Sequence, residues 1–180
     1  MRKYLFLFLL VILIVPCAAQ NGICNLTPND APPFFGLKLQ MSPAQVKTIF
    51  GKKLKLNVKR KGTFFQNFID NPPPAFLSGV RALYLRFFDR KLYQIEVFYQ
   101  NENERESAAP TEKETLEFIN RLSADLNLPA NDWETKDKRF YKLTCAGFSV
   151  AADRILNPRV ELTDEAARVL FEEAEKIKKN

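Results

Sequence analysis

The amino-acid sequence predicts an α+β fold in two layers: an antiparallel sheet of hairpins packed against two or three helices. Three observations predict it. Residues 82–99 and 140–152 each read as a pair of apolar strands around a short polar turn. Three segments, opening at Ser42, Thr111 and Thr163, carry helix-start signals followed by apolar residues at helical spacing. Each of the first two helices comes before a hairpin in the chain, which suits helices laid over an antiparallel sheet.

The first twenty residues read as an address. Arg2 and Lys3 precede the uncharged run Tyr4 to Val15, Pro16 ends the run, and small residues follow as far as Ala19. This is the layout of a secretory signal peptide over residues 1–19. The run falls short of the roughly 20 residues that span a bilayer. The expected location is therefore periplasmic or secreted. Cys17, at the end of the apolar core, offers the alternative of a lipid anchor. Cleavage after Ala19 removes Arg2 and Lys3 and lowers the formal charge from +6 to +4.

In an oxidising compartment Cys24 and Cys145 are expected to form one disulfide, with two buried free thiols as the other reading. The bridge closes a loop of about 120 residues, for which loop entropy predicts roughly 4–5 kcal/mol. The cysteines are far apart and form no Cys-x-x-Cys pair, which argues against redox catalysis.

Residues 20–33 form a polar, proline-containing lead-in. A single domain over 34–180 follows, with two weakly similar helix-hairpin units near 42–99 and 111–152. Phe34 to Leu39 reads as a short strand. Ser42 caps a helix with Pro43 in its first turn, Val46, Ile49 and Phe50 on one side, and Gly51 as its stop. Leu54, Leu56 and Val58 alternate with Lys53, Lys55, Asn57 and Lys59, which predicts a strand with one basic face.

From Gly62 to Gly79 the prolines at 72–74 cannot donate to a ladder. The segment therefore reads as a loop with Phe64, Phe65, Phe68 and Phe76 as aromatic anchors. In the first hairpin, turning at Asp89-Arg90-Lys91, one face carries Leu83, Leu85 and Phe87 with Tyr93, Ile95, Val97 and Tyr99. The other face keeps Tyr84, Phe88, Leu92 and Phe98. This predicts helices over one face and partial cover, or a ligand surface, over the other.

After a polar connection, Thr111 and Glu114 fit a capping box, and Leu116, Ile119, Leu122 and Leu126 form a helical stripe ending at Asn127. Trp133 precedes the second hairpin, which turns near Gly147. Arg159 to Leu162 reads as a last strand. Thr163 then caps a closing helix whose inward stripe is Ala166, Leu170, Ala174 and Ile177.

One stretch resembles a known pattern. Met41, Ser42, Val46 and Gly51, within Gly36 to Gly51, are similar to the opening motif of SmpA/OmlA-type and beta-lactamase-inhibitor-protein-like small envelope domains. Gln40 stands where those families usually have Gly. The whole chain also resembles a group of uncharacterised secreted bacterial proteins with an early and a late cysteine. The resemblance implies a two-layer α/β scaffold in the envelope that acts through protein contacts, as adaptor or inhibitor.

The chain contains no histidine, so Ser/His and Cys/His relays and histidine metal sites are excluded. No catalytic residue, metal site or cofactor is predicted. The leader and the modest charge argue against nucleic acid. Candidate binding residues are Lys53, Lys55 and Lys59, for an acidic partner or anionic surface, and Phe64, Phe65, Phe68 and Phe76, for an apolar contact. The expected function is a non-catalytic binding scaffold for an envelope or extracellular protein. The alternatives are a carrier for a small apolar or anionic ligand in a sheet-helix cleft, and a carboxylate-dependent hydrolase.

Overall fold

A computed structural model describes residues 24–50, 63–67, 77, 79–99, 111–135, 137–153 and 158–177. The chain has an α+β fold. The helices are α1 (Pro43–Phe50), α2 (Glu112–Asp125) and α3 (Glu165–Ile177). The strands are β1 (Thr63–Asn67), β2 (Val80–Phe88), β3 (Lys91–Tyr99), β4 (Trp133–Thr135), β5 (Phe140–Thr144), β6 (Phe148–Asp153) and β7 (Arg159–Asp164). They form one seven-stranded sheet in the order β1-β2-β3-β7-β6-β5-β4, with every neighbouring pair antiparallel. Thus α1 and α2 each precede a three-stranded meander, and β7 closes the sheet between the two.

Two of the three predicted helix starts, at Ser42 and Thr111, are built as the sequence specifies. Ser42 Oγ accepts from Gln45 N–H at 3.3 Å, while Gln45 Oε1 accepts from Ser42 N–H at 2.8 Å. Thr111 and Glu114 make the same reciprocal pair at 3.3 and 2.8 Å. Helix α2 ends where Asn127 takes φ 51° and Leu128 N–H reaches back to Ser123 O at 2.8 Å. That is a Schellman ending with asparagine in the left-handed position.

The core lies between one face of the sheet, the first two helices and the N-terminal segment. Leu83, Leu85, Ile95, Val97, Val150 and Leu162 meet Val46, Phe50 and Ile119 there. The stripe of α2 is shifted from the expected one. Leu116 is exposed, whereas Thr115 and Ser123 are buried. Both hydroxyls donate to carbonyls one turn back, Thr111 O and Ile119 O, which satisfies them inside the core. Ser123 Oγ also accepts from Trp133 Nε1 at 2.8 Å.

The hairpin β2–β3 turns on Asp89 and Arg90 alone, at φ 44° and 59°, the geometry of a type I′ turn. Lys91 already belongs to β3. The expected face of β3 changes at Tyr93. Arg86 pairs with Gln94 and Phe87 with Leu92, so Tyr93 is an extra residue in a bulge. Leu92 therefore turns into the core, and Tyr93 goes to the opposite face, stacking on Phe171 at 5.4 Å.

Three other expectations are corrected. Phe34 to Leu39 is not a strand. Phe34 and Leu37 bond each other at 2.9 and 2.8 Å around Phe35 and Gly36, both in the left-handed region, which folds the chain back on itself. The segment expected to be a loop begins with β1, an edge strand, since its prolines come only after Asn67. Trp133 starts the short edge strand β4 rather than merely preceding the hairpin. The leader, the strand expected at 54–58, Gly51 and the proline run lie outside the described residues.

Cys24 and Cys145 are joined by a disulfide across 121 positions. It binds the N-terminal segment to the β5–β6 turn. Ala146 N–H donates to Cys24 O at 3.0 Å, and a side chain at Gly147 (φ 98°) would press into Pro28. From there the segment crosses the end of the sheet and buries Ala31, Phe34, Leu37 and Leu39. It finishes against β3, where Gln40 N–H donates to Leu92 O and Leu92 N–H to Met41 O, both at 2.8 Å.

Cys24→Ser and Cys145→Ser are each expected to destabilise the oxidised protein by about 4–5 kcal/mol in chemical denaturation. The double variant should lose no more than either single one, because both remove the same cross-link.

Candidate functional site

The strands have a second face, away from the core, and α3 covers only part of it. Cross-strand register sets out its rows. Tyr84, Glu96, Glu161, Ala151 and Lys142 lie side by side, as do Phe98, Arg159, Asp153 and Phe140 in the next row. A third row contains Arg86, Gln94, Thr163 and Ser149.

At the start of β7 this face carries an ion network. Arg159 donates to Glu96 Oε1 at 2.9 Å and to Asp153 Oδ2 at 2.6 Å, and Arg86 approaches Glu96 Oε2 at 3.8 Å. The Glu96 and Asp153 side chains are only 8% and 10% exposed, so Arg159 neutralises two carboxylates largely removed from water. Next to it, Tyr84 and Phe98 make an edge-to-face pair at 5.5 Å, and both are half-buried.

Towards the end of β7 the face becomes a polar layer beneath α3. Gln94 donates to Thr163 Oγ1 at 3.1 Å, and Thr163 donates to Glu161 at 2.9 Å. Thr163 is thus committed to the sheet and does not cap α3. Asp164 does so instead, accepting from Ala167 N–H at 3.0 Å, and its other oxygen accepts from the Gln40 side chain. Gln40 takes φ 69°, a left-handed conformation that favours glycine. Its side chain thereby ties the N-terminal segment to the start of α3.

Helix α3 is held by polar groups and by one aromatic residue, Phe171. Glu165 accepts from Lys142 Nζ at 2.8 Å, Ser149 Oγ at 2.6 Å and Arg168 Nε at 2.7 Å. Burial pushes the Glu165 carboxyl up, but these three donors outweigh it and hold the group down at about 2. Further along, Phe171 stacks on Tyr93 and meets Phe88 edge-on at 6.2 Å. Burial raises the Tyr93 phenol above its ordinary value, against the opposing effect of Arg86.

The inward side of α3 differs from the expected stripe. Ala167, Arg168, Phe171, Ala174 and Glu175 are half-buried, while Ala166, Leu170 and Ile177 are exposed. Of the predicted inward residues only Ala174 lies on the sheet side. The reason is the clasp: Glu165, bonded to Lys142 and Ser149 on β5 and β6, and Asp164, bonded to Gln40, fix the helix's rotation whatever its apolar periodicity.

The structure joins Cys24 to Cys145, as the sequence reading expects. Phe64 and Phe65 belong to β1, opposite Leu85 and Tyr84 in register. Lys53, Lys55, Lys59, Phe68 and Phe76 lie outside the described residues. Arg86, Glu96, Asp153 and Arg159 were not singled out from the sequence. Their signal was present all the same: each occupies the position of its strand that alternates with core residues.

Among the described residues no group of three or more His, Cys, Asp or Glu is arranged to hold a metal ion, and no helix is long and apolar enough to cross a membrane. Compared with family models, curated proteins and solved structures, the chain matches none.

Two outcomes are expected. Arg159→Met should cost on the order of 3 kcal/mol, since it leaves Glu96 and Asp153 desolvated without their shared cation. Adding Glu96→Gln and Asp153→Asn should recover most of that loss in urea melts. The second outcome concerns pH. The Glu165 carboxyl titrates below its ordinary 4.5, so its contribution is complete above about 4.5 and is lost as pH falls toward 2. Glu165→Gln should therefore be less stable than the parent at pH 6, and the two should converge by pH 2.

Proposed function

We propose that the protein is a secreted or periplasmic, non-catalytic scaffold that binds another protein of the envelope or exterior. The observation that carries this reading is the half-exposed Tyr84–Phe98 pair set beside Arg86 and Arg159 on the sheet face that α3 leaves open. Tyrosine, phenylalanine and arginine are the residue types enriched in protein interfaces, because they bring large contact area at modest entropy cost. Here a salt-bridge network beneath them fixes the strand face, so docking would order few groups.

The leader, the disulfide and the resemblance of the Gly36–Gly51 stretch to small envelope domains support the same compartment and mode of action. The carboxylate chemistry of a hydrolase finds less support. Glu96 is occupied by two arginines and Asp153 by one, which is the chemistry of a structural network. Thr163 occupies Glu161 from the same face.

The test is site-specific photo-crosslinking in cells exporting the full chain, with a photoreactive phenylalanine analogue at Phe98 and, as control, at exposed Glu117 on α2. The expected result is one discrete heavier adduct from position 98, weakened by Arg86→Glu and absent from position 117. No adduct at 98 with a well-exported chain would reject the proposal.

A further inference from the structure

The outward side of α3 is built like one half of a helix–helix contact. Ala166, Leu170, Glu173 and Ile177 follow one another at spacings of four, three and four, which is heptad spacing. At about 100° per residue they fall within one narrow stripe, with Val169 at its edge. That stripe points well away from Phe171, which faces the sheet. Val169, Leu170 and Ile177 are 44%, 54% and 77% exposed. A stripe of large apolar side chains held out of the protein's own core is the mark of an interaction surface. The bonds of Glu165 to Lys142 and Ser149 on the sheet keep it turned outward.

Glu173 decides what can occupy the seam. It lies between Leu170 and Ile177 in the stripe, is exposed, and has no ion pair among the described residues. A lipid surface would have to take this carboxylate into its apolar layer along with the leucine and isoleucine, at a desolvation cost. A second copy in parallel would set Glu173 against Glu173. In antiparallel pairing about the middle of the stripe, it would set Glu173 against Leu170. A partner helix with a lysine or arginine at that level meets neither objection, because it converts the polar seam position into a matched pair that also fixes register.

We infer that the outward face of α3 docks a helix of a partner protein, with apolar residues at heptad spacing and a basic residue opposite Glu173. The inference rests on the protein-binding reading above and adds a second, separate contact surface to it.

Two synthetic helical peptides test it, identical except that the central seam position is Lys in one and Glu in the other. Binding to the exported chain is read by fluorescence anisotropy. The Lys peptide is expected to bind at least about tenfold more tightly than the Glu peptide, which corresponds to about 1.4 kcal/mol. Glu173→Lys should invert the order, and Leu170→Glu should abolish binding of both. Circular dichroism on each variant checks that α3 is intact. Equal binding of the two peptides, no binding below millimolar concentration, or binding indifferent to Leu170→Glu would overturn the inference. So would adsorption to zwitterionic phosphatidylcholine vesicles, or a concentration-dependent dimer, that Leu170→Glu removes, since those outcomes assign the seam to lipid or to a second copy. An adduct at Phe98 together with failed peptides would leave the scaffold reading standing and remove only this surface.

Discussion

The covalent bond between Cys24 and Cys145 is the constraint on which one whole end of the molecule depends. It fastens the N-terminal segment to the β5–β6 turn, and that turn in turn holds the start of α3 through Glu165 N–H and Gly147 O, 3.1 Å apart. Sixteen residues after Cys24, Gln40 closes the circuit by reaching Asp164, the residue that caps α3. The segment between is no passive lead-in. It buries Phe34, Leu37 and Leu39 against the sheet end and adds backbone bonds to Leu92. A chain of modest size thereby gains apolar burial that its three helices alone do not supply, and a cross-link that limits the entropy of its unfolded state.

The same fastening accounts for the two faces. One side of the sheet is an ordinary apolar core under α1 and α2. The other carries charged and aromatic groups side by side in the same rows, and α3 lies across only its end. Because Asp164 and Glu165 set the rotation of α3 through short polar contacts, the helix can present an apolar seam to solvent and still stay in place. Its hold on the sheet is Phe171 against Tyr93, made possible by the bulge that turns Tyr93 out of the core. Two surfaces follow from one arrangement: the Tyr84–Phe98 pair with its arginines, and the seam of α3. The proposed scaffold function draws on both, with neither requiring a cofactor or a catalytic group.

Much of the fold was legible in the sequence because it rests on local chemistry. The cap at Ser42, the capping box at Thr111, the stop at Asn127 and the two hairpins each depend on residues a few positions apart. The disulfide was legible from the expected oxidising compartment, in which Cys24 and Cys145 are the two cysteines beyond the expected leader. What was not legible depends on distant partners. The bulge at Tyr93 is specified by register against β2 and by Phe171, far along the chain. The rotation of α3 is decided by Lys142 and Ser149, on other strands, so its apolar periodicity pointed to the wrong side. The strand expected at Phe34–Leu39 is broken locally, because Phe35 and Gly36 take left-handed conformations and turn the chain back on itself. The candidate surface was half visible. Tyr84 and Phe98 were placed on the second face, but the ion network beside them joins residues from four strands, β2, β3, β6 and β7, and no sequence window contains it.

The most direct measure of the central claim is hydrogen exchange by mass spectrometry on the protein with the disulfide intact and after selective reduction. If the cystine holds the end of the sheet together, reduction should speed exchange in residues 24–41, in the β5–β6 turn and in the first turn of α3. Exchange in the paired centres of β2, β3, β6 and β7 should stay slow. A uniform rise across the whole sheet, or no change at the start of α3, would contradict this account.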